Sequence, residues 1–88
     1  MYDYEIKPVL QKILNKLFKK DKRVYEAIMN KIEEIIQNPQ HYKPLKYELA
    51  GERRVHIMKS FVLKFEVHED RKVVVFLFFG HHDEAYRR

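Results

Sequence analysis

The sequence predicts an α+β fold: an N-terminal strand, an antiparallel helical hairpin and a three-stranded antiparallel meander, with the helices packed on one sheet face. Three observations predict it. Two apolar stripes at helical spacing stand almost back to back over residues 9–36. Apolar and polar residues then alternate over 53–67, the period of a strand. Finally, residues 73–79 (Val-Val-Val-Phe-Leu-Phe-Phe) are apolar at every position, as in a strand at the middle of a sheet. A chain of 88 residues suits a single domain, 1–88, with one modest core.

Tyr2, Tyr4 and Ile6 alternate with Asp3 and Glu5, which predicts a short strand over 2–7. Pro8 ends it and can occupy the first turn of a helix. Over 9–18 the apolar positions Val9, Leu10, Ile13, Leu14, Leu17 and Phe18 form a helical stripe read as core. Lys19 and Lys20 then suit the negative end of the helix dipole. Asp21 is a candidate N-cap for a second helix, striped by Val24, Tyr25, Ile28, Met29, Ile32, Ile35 and Ile36. Asn38-Pro39 stops that helix. Because the link at Asp21 is so short, the helices fold back as an antiparallel hairpin.

Residues 40–44 read as loop. Leu45–Leu49 is either a strand edge or an extended approach to a turn at Ala50-Gly51. In the strand that follows, Val55 and Ile57 alternate with Arg54 and His56. After a tight connection, Phe61, Leu63, Phe65 and Val67 share one face, with Val62, Lys64 and Glu66 opposite. One sheet face is therefore expected to be basic and titratable. His68–Lys72 is a polar hairpin connection, and the last strand delivers Gly80 and the tail His81–Arg88.

With 45% apolar and 35% charged residues, the composition fits a globular domain and excludes disorder. The formal charge of +5 favours polyanionic partners: nucleic acid, an anionic membrane or an acidic protein. No cysteine is present, so disulfides and thiolate zinc sites are excluded, which agrees with a reducing cytoplasm. Met1-Tyr2-Asp3-Tyr4-Glu5 lacks the order of a signal peptide, and no apolar run approaches the roughly 18 residues of a membrane span. The expected location is cytoplasmic, without a membrane partner.

Taken together, Leu49-Ala50-Gly51, Arg54–Ile57, Phe61–Val67 and Gly80-His81-His82-Asp83-Glu84-Ala85-Tyr86-Arg87 resemble the RelE/ParE toxin superfamily. The nearer likeness is to RelE-like, archaeal-type mRNA interferases of type II toxin–antitoxin systems. It extends over essentially the whole chain and lies in order, spacing and length. It implies an endoribonuclease that enters the ribosomal A site and cuts mRNA without a metal or other cofactor. The ribose 2′-OH attacks the adjacent phosphorus, so a base, an acid and cations for the developing charge are needed. The implied partners are the ribosome, mRNA and a cognate, RelB-like antitoxin.

Carried onto this chain, the family pattern marks Arg54, His56, His82 and Tyr86 as catalytic. Arg54 would clamp phosphate, His56 and His82 would share the proton transfers, and Tyr86 would orient the nucleotide. Lys46, Lys59, Lys64, His81 and Arg87 are candidate phosphate contacts. Two positions depart from the pattern. Val62 stands where members commonly carry a basic residue, and His82 stands where many carry arginine. The second departure points to members that use histidine as acid or base. A metal site from His56, His81, His82 and Asp83 is not expected, since the spacing matches no ligand pattern. Two alternatives stay open: a ParE-like poison of DNA gyrase without nuclease chemistry, and a catalytically decayed, basic RNA-binding toxin.

Overall fold

The structure is a computed structural model and describes residues 1–42 and 52–81. The elements run β1 (Asp3–Ile6), α1 (Pro8–Lys20), α2 (Lys22–Gln37), a 3-10 turn at Pro39–His41, β2 (Glu52–Ile57), β3 (Phe61–His68) and β4 (Val73–His81). The α+β class and the antiparallel β2–β3–β4 meander are as expected. The four strands lie in the order β1-β4-β3-β2, with β1 parallel to β4, so the sheet is mixed. The apolar run 73–79 does lie inside the sheet. Leu45–Leu49 and Ala50-Gly51 fall outside the described residues.

Asp21 alone joins the helices. Its backbone N–H donates to Leu17 O at 2.8 Å and closes α1, while its carboxylate accepts from Val24 N at 3.3 Å and opens α2. Pro8 stands in the first turn of α1, where its missing N–H costs nothing. Asn38 caps α2, and Pro39 begins the 3-10 turn in what reads from sequence as plain loop.

The core lies between the hairpin and one sheet face. Leu10, Leu14, Val24, Ile28, Ile32, Ile35 and Ile36 pack against Ile57, Leu63, Phe65, Val74, Phe76 and Phe79. Truncating a fully buried aromatic such as Phe65 or Phe76 to alanine typically costs about 3–5 kcal/mol. The α1 stripe is narrower than expected. Val9 and Phe18 are 59% and 50% exposed, whereas Leu10 and Leu14 are buried. Each residue turns about 100° around a helix, so Val9 and Phe18 fall on opposite flanks of the Leu10–Leu14–Leu17 line.

A bulge in β4 settles how an all-apolar strand distributes its side chains. Lys64 pairs with Phe78 and Phe65 with Phe76, leaving Leu77 between them without a register partner. Alternation shifts there, so Val74 and Phe76 below the bulge and Phe79 above it all reach the helices.

Candidate nucleic-acid interface

The sheet face turned away from the helices is set by the hairpin register. Arg54 lies directly opposite Lys64, and His56 opposite Val62. Directly opposed residues share a face, and those at i and i+2 do as well. Since Val55, Ile57, Leu63 and Phe65 face the core, Arg54, His56 and Lys64 stand together on the outer face. Arg54 and Lys64 are half-buried; His56 is exposed. A guanidinium, an ammonium and an imidazole therefore occupy successive rungs of one two-stranded ribbon. Two of these groups can hold phosphate oxygens, and the third is an imidazole, whose ring nitrogens can donate or accept a hydrogen bond.

The face is not uniformly basic. Glu5, Val75, Glu66 and Glu52 form one row across all four strands, next to the Arg54–Lys64 rung. Lys64 Nζ stands 3.6 Å from Glu52 Oε2, with only 20% and 18% of the two side chains exposed. His68 lies 3.2 Å from Glu66 in the same quarter. Among the described residues, Arg54, His56 and Lys64 thus lie in the half of the face nearer the β2–β3 turn. Glu52 is the participant that sequence reading missed. Its signal was the strand register, which places it two residues before Arg54 and diagonal to Lys64.

Lys59 sits in the β2–β3 connection, exposed, with φ 68°; its neighbour Met58 has φ 52°. Ser60 N donates to Met58 O at 2.7 Å and tightens this turn. Positive φ is uncommon for residues with a Cβ, so Met58 and Lys59 hold strained backbone at the edge of the basic region. Val62 is fully buried although it lies on the outer face, between His56 and Gly80 in register.

His81 is placed differently from Arg54, His56 and Lys64. It is opposite Phe61 in register, and its ring lies 4.8 Å from the Phe61 ring on the helix side. Phe61 in turn stacks on Phe79 at 5.1 Å. Arg53, next to Arg54, also turns to the helix side and donates to Pro39 O and Gln40 Oε1, each at 3.4 Å. The expected sites Lys46, His82, Tyr86 and Arg87 lie outside the described residues.

Away from this face, Tyr2 donates its hydroxyl to Glu69 Oε1 at 2.6 Å, and that bond, aided by burial and the Glu69 charge, raises the phenol above its usual range. No helix among the described residues is long and apolar enough to cross a membrane.

Residues 4–86 match the family model described as ParE toxin of type II toxin–antitoxin system, parDE. A protein from Methanocaldococcus jannaschii that bears the name toxin RelE4 is 54% identical over 88 residues, 100% of this chain and 94% of its own. Among solved structures, a YoeB/ParE toxin from Agrobacterium tumefaciens superposes with a TM-score of 0.79 at 17% identity, covering 91% of this chain and 98% of that one. The intact E. coli RelBE toxin–antitoxin complex contains a chain matching with a TM-score of 0.76 at 19% identity, covering 92% and 96%. At such identities these two structures establish likeness of fold.

Proposed function

The chain belongs to the ParE toxin family of type II toxin–antitoxin systems, and from that premise we propose that it is a ribosome-dependent mRNA endonuclease. The observation that carries this reading is the rung Arg54–Lys64 with His56 beside it on the outer face. A gyrase poison needs no such triplet, whereas strand scission within RNA needs each of its parts.

In this reading the scissile phosphate lies over the Arg54–Lys64 rung. A base removes the 2′-OH proton and the oxygen attacks phosphorus. The bond to the 5′-oxygen then breaks, leaving a cyclic phosphate on the upstream fragment, and an acid protonates the departing oxygen. Arg54 and Lys64 stabilise charge on the phosphorane oxygens. His56 serves one proton transfer and His82 the other, with Tyr86 orienting the nucleotide. Lys59, Lys46, His81 and Arg87 would contribute attraction for the polyanion. His81, on the helix side of the sheet, would contribute away from the scissile phosphate.

The attacking oxygen belongs to the substrate, so RNA is cut and the corresponding DNA is not. The proposed partners are mRNA held on the ribosome and, as in the RelBE complex, a cognate antitoxin that neutralises the toxin. The proposed location is the cytoplasm.

The matching family model favours one second reading, poisoning of DNA gyrase. Expression in a host that tolerates Arg54→Ala and His56→Ala separates the two. The nuclease reading predicts that both substitutions abolish growth arrest. Arrest by both variants, with DNA breaks and intact mRNA, would establish the gyrase reading instead.

A further inference from the structure

The bulge in β4 decides on which side of the sheet Phe78 stands. Val74 and Phe76 reach the helices, and an unbroken strand would carry Phe78 to that same side. Because Leu77 is an extra residue, Phe78 instead stands directly opposite Lys64, and Phe79 takes the core place opposite Leu63. Phe78 therefore belongs to the outer face, in one row with Lys64 and Arg54. Neighbouring strands lie about 5 Å apart, so the ring stands about 5 Å from Lys64 and about 10 Å from Arg54 along that row. Bulges re-aim side chains and are over-represented beside active sites. This one turns an aromatic ring out of the core and onto the basic face.

Its surroundings leave the ring accessible. Phe78 is half-buried and lies outside the core cluster. β1 ends at Ile6, in register with Phe76, so no described strand flanks Phe78 on that side. On its other side Lys64 reaches the opposite way, with Nζ beside Glu52 of β2. Gly80, the next residue on the same face, has no side chain to lie over the ring. Phe61 and Phe79 stack on each other, and Phe65 meets Phe76. Phe78 makes no such ring contact among the described residues.

We propose that Phe78 is the platform on which one nucleobase of single-stranded RNA stacks while the adjacent phosphate lies on the Lys64–Arg54 rung. Cations that track the backbone beside an aromatic face that takes a base are the combination by which proteins hold single strands. Every base has a π-face, so the contact selects an unpaired base without reading its identity. The proposal rests on the nuclease reading above and adds to it the group that fixes a base next to the scissile phosphate.

The test compares wild type with Phe78→Leu, which keeps apolar cover on the sheet but removes the ring, and with Phe78→Tyr, which keeps the ring. Each protein is titrated at low salt with a short single-stranded RNA and with a set of the same RNA in which each base in turn is replaced by an abasic site. At one position, base removal is expected to weaken binding by wild type and Phe78→Tyr about tenfold, and by Phe78→Leu less than about twofold. A purely structural role predicts the same ratio for all three proteins, and that result overturns the proposal. Wild type that binds intact and abasic RNA alike, or binds neither, also overturns it, and this arm needs no variant to fold. In single-turnover cleavage of mRNA held on the ribosome, Phe78→Leu is expected to lose about tenfold and Phe78→Tyr less than about threefold. Undiminished cleavage by Phe78→Leu overturns the proposal and leaves the nuclease reading intact. Wild type that shows the base-dependent binding yet cuts no mRNA sinks the nuclease reading and leaves the Phe78 contact standing.

Discussion

Lys64 and Glu52 lie diagonally across the β2–β3 ladder with Nζ and Oε2 3.6 Å apart, immediately beside the Arg54 rung. The pair is mostly buried, and in the proposed site the Glu52 carboxylate would oppose the attraction of Lys64 for phosphate. Glu52→Gln removes that opposition. It is expected to tighten binding to single-stranded RNA by several-fold and to steepen its salt dependence, while lowering stability by about 1 kcal/mol through loss of the pair. Titration of a fluorescent oligonucleotide and urea denaturation check the two effects. Weaker RNA binding by this variant would show that Glu52 supports the phosphate site.

Arg53 and Arg54 are neighbours on opposite faces of the sheet. Arg53 ties β2 to the 3-10 turn through Pro39 O and Gln40 Oε1, while Arg54 stands on the outer face. Arg53→Ala is expected to lower stability by about 1–2 kcal/mol and leave single-turnover cleavage by the remaining folded protein within a few-fold. Arg54→Ala is expected to do the reverse, with little change in stability and cleavage reduced about a hundredfold or more. Denaturation midpoints and single-turnover rates separate them.

Val62 is fully buried on the outer face. Placing the family's customary basic residue there would force a charge into a covered site. Val62→Arg is therefore expected to destabilise the fold by about 3 kcal/mol or more and not to raise activity. Val62→Ile should cost less than about 1.5 kcal/mol. A folded, more active Val62→Arg protein would contradict this placement.

The Tyr2–Glu69 bond gives a pH dependence of known sign. The phenol is raised in the folded state, so the folded state favours its protonated form. Its contribution is present below about pH 10 and is lost as pH rises through the raised folded value. The stability advantage of wild type over Tyr2→Phe should shrink between about pH 8 and about pH 11 in denaturation experiments.

Much of this architecture is legible in sequence because its periodicities are clean. The helical stripe ending at Ile36, the Asp21 cap and the alternation of Arg54 and His56 with Val55 and Ile57 each follow from local spacing. What local spacing hides depends on pairing between strands. An all-apolar β4 gives no sign of the bulge at Leu77, and that bulge puts His81 on the helix side. Nor can a strand read alone show that Glu52 meets Lys64, or that Val62 is covered. In α1 the failure was one of width: Val9 and Phe18 extend the stripe on paper but stand half-exposed or more at its flanks, although Phe18 meets Tyr25 of α2 edge-on.

The most direct test of the account is primer extension on mRNA programmed into ribosomes with an empty A site, using wild type, Arg54→Ala, His56→Ala and His82→Ala. The account predicts one discrete cut within the A-site codon from wild type and its suppression by about a hundredfold or more in each variant. Absence of any cut by folded wild-type protein on ribosomes from a close relative, or a cut of undiminished rate from Arg54→Ala, would contradict it.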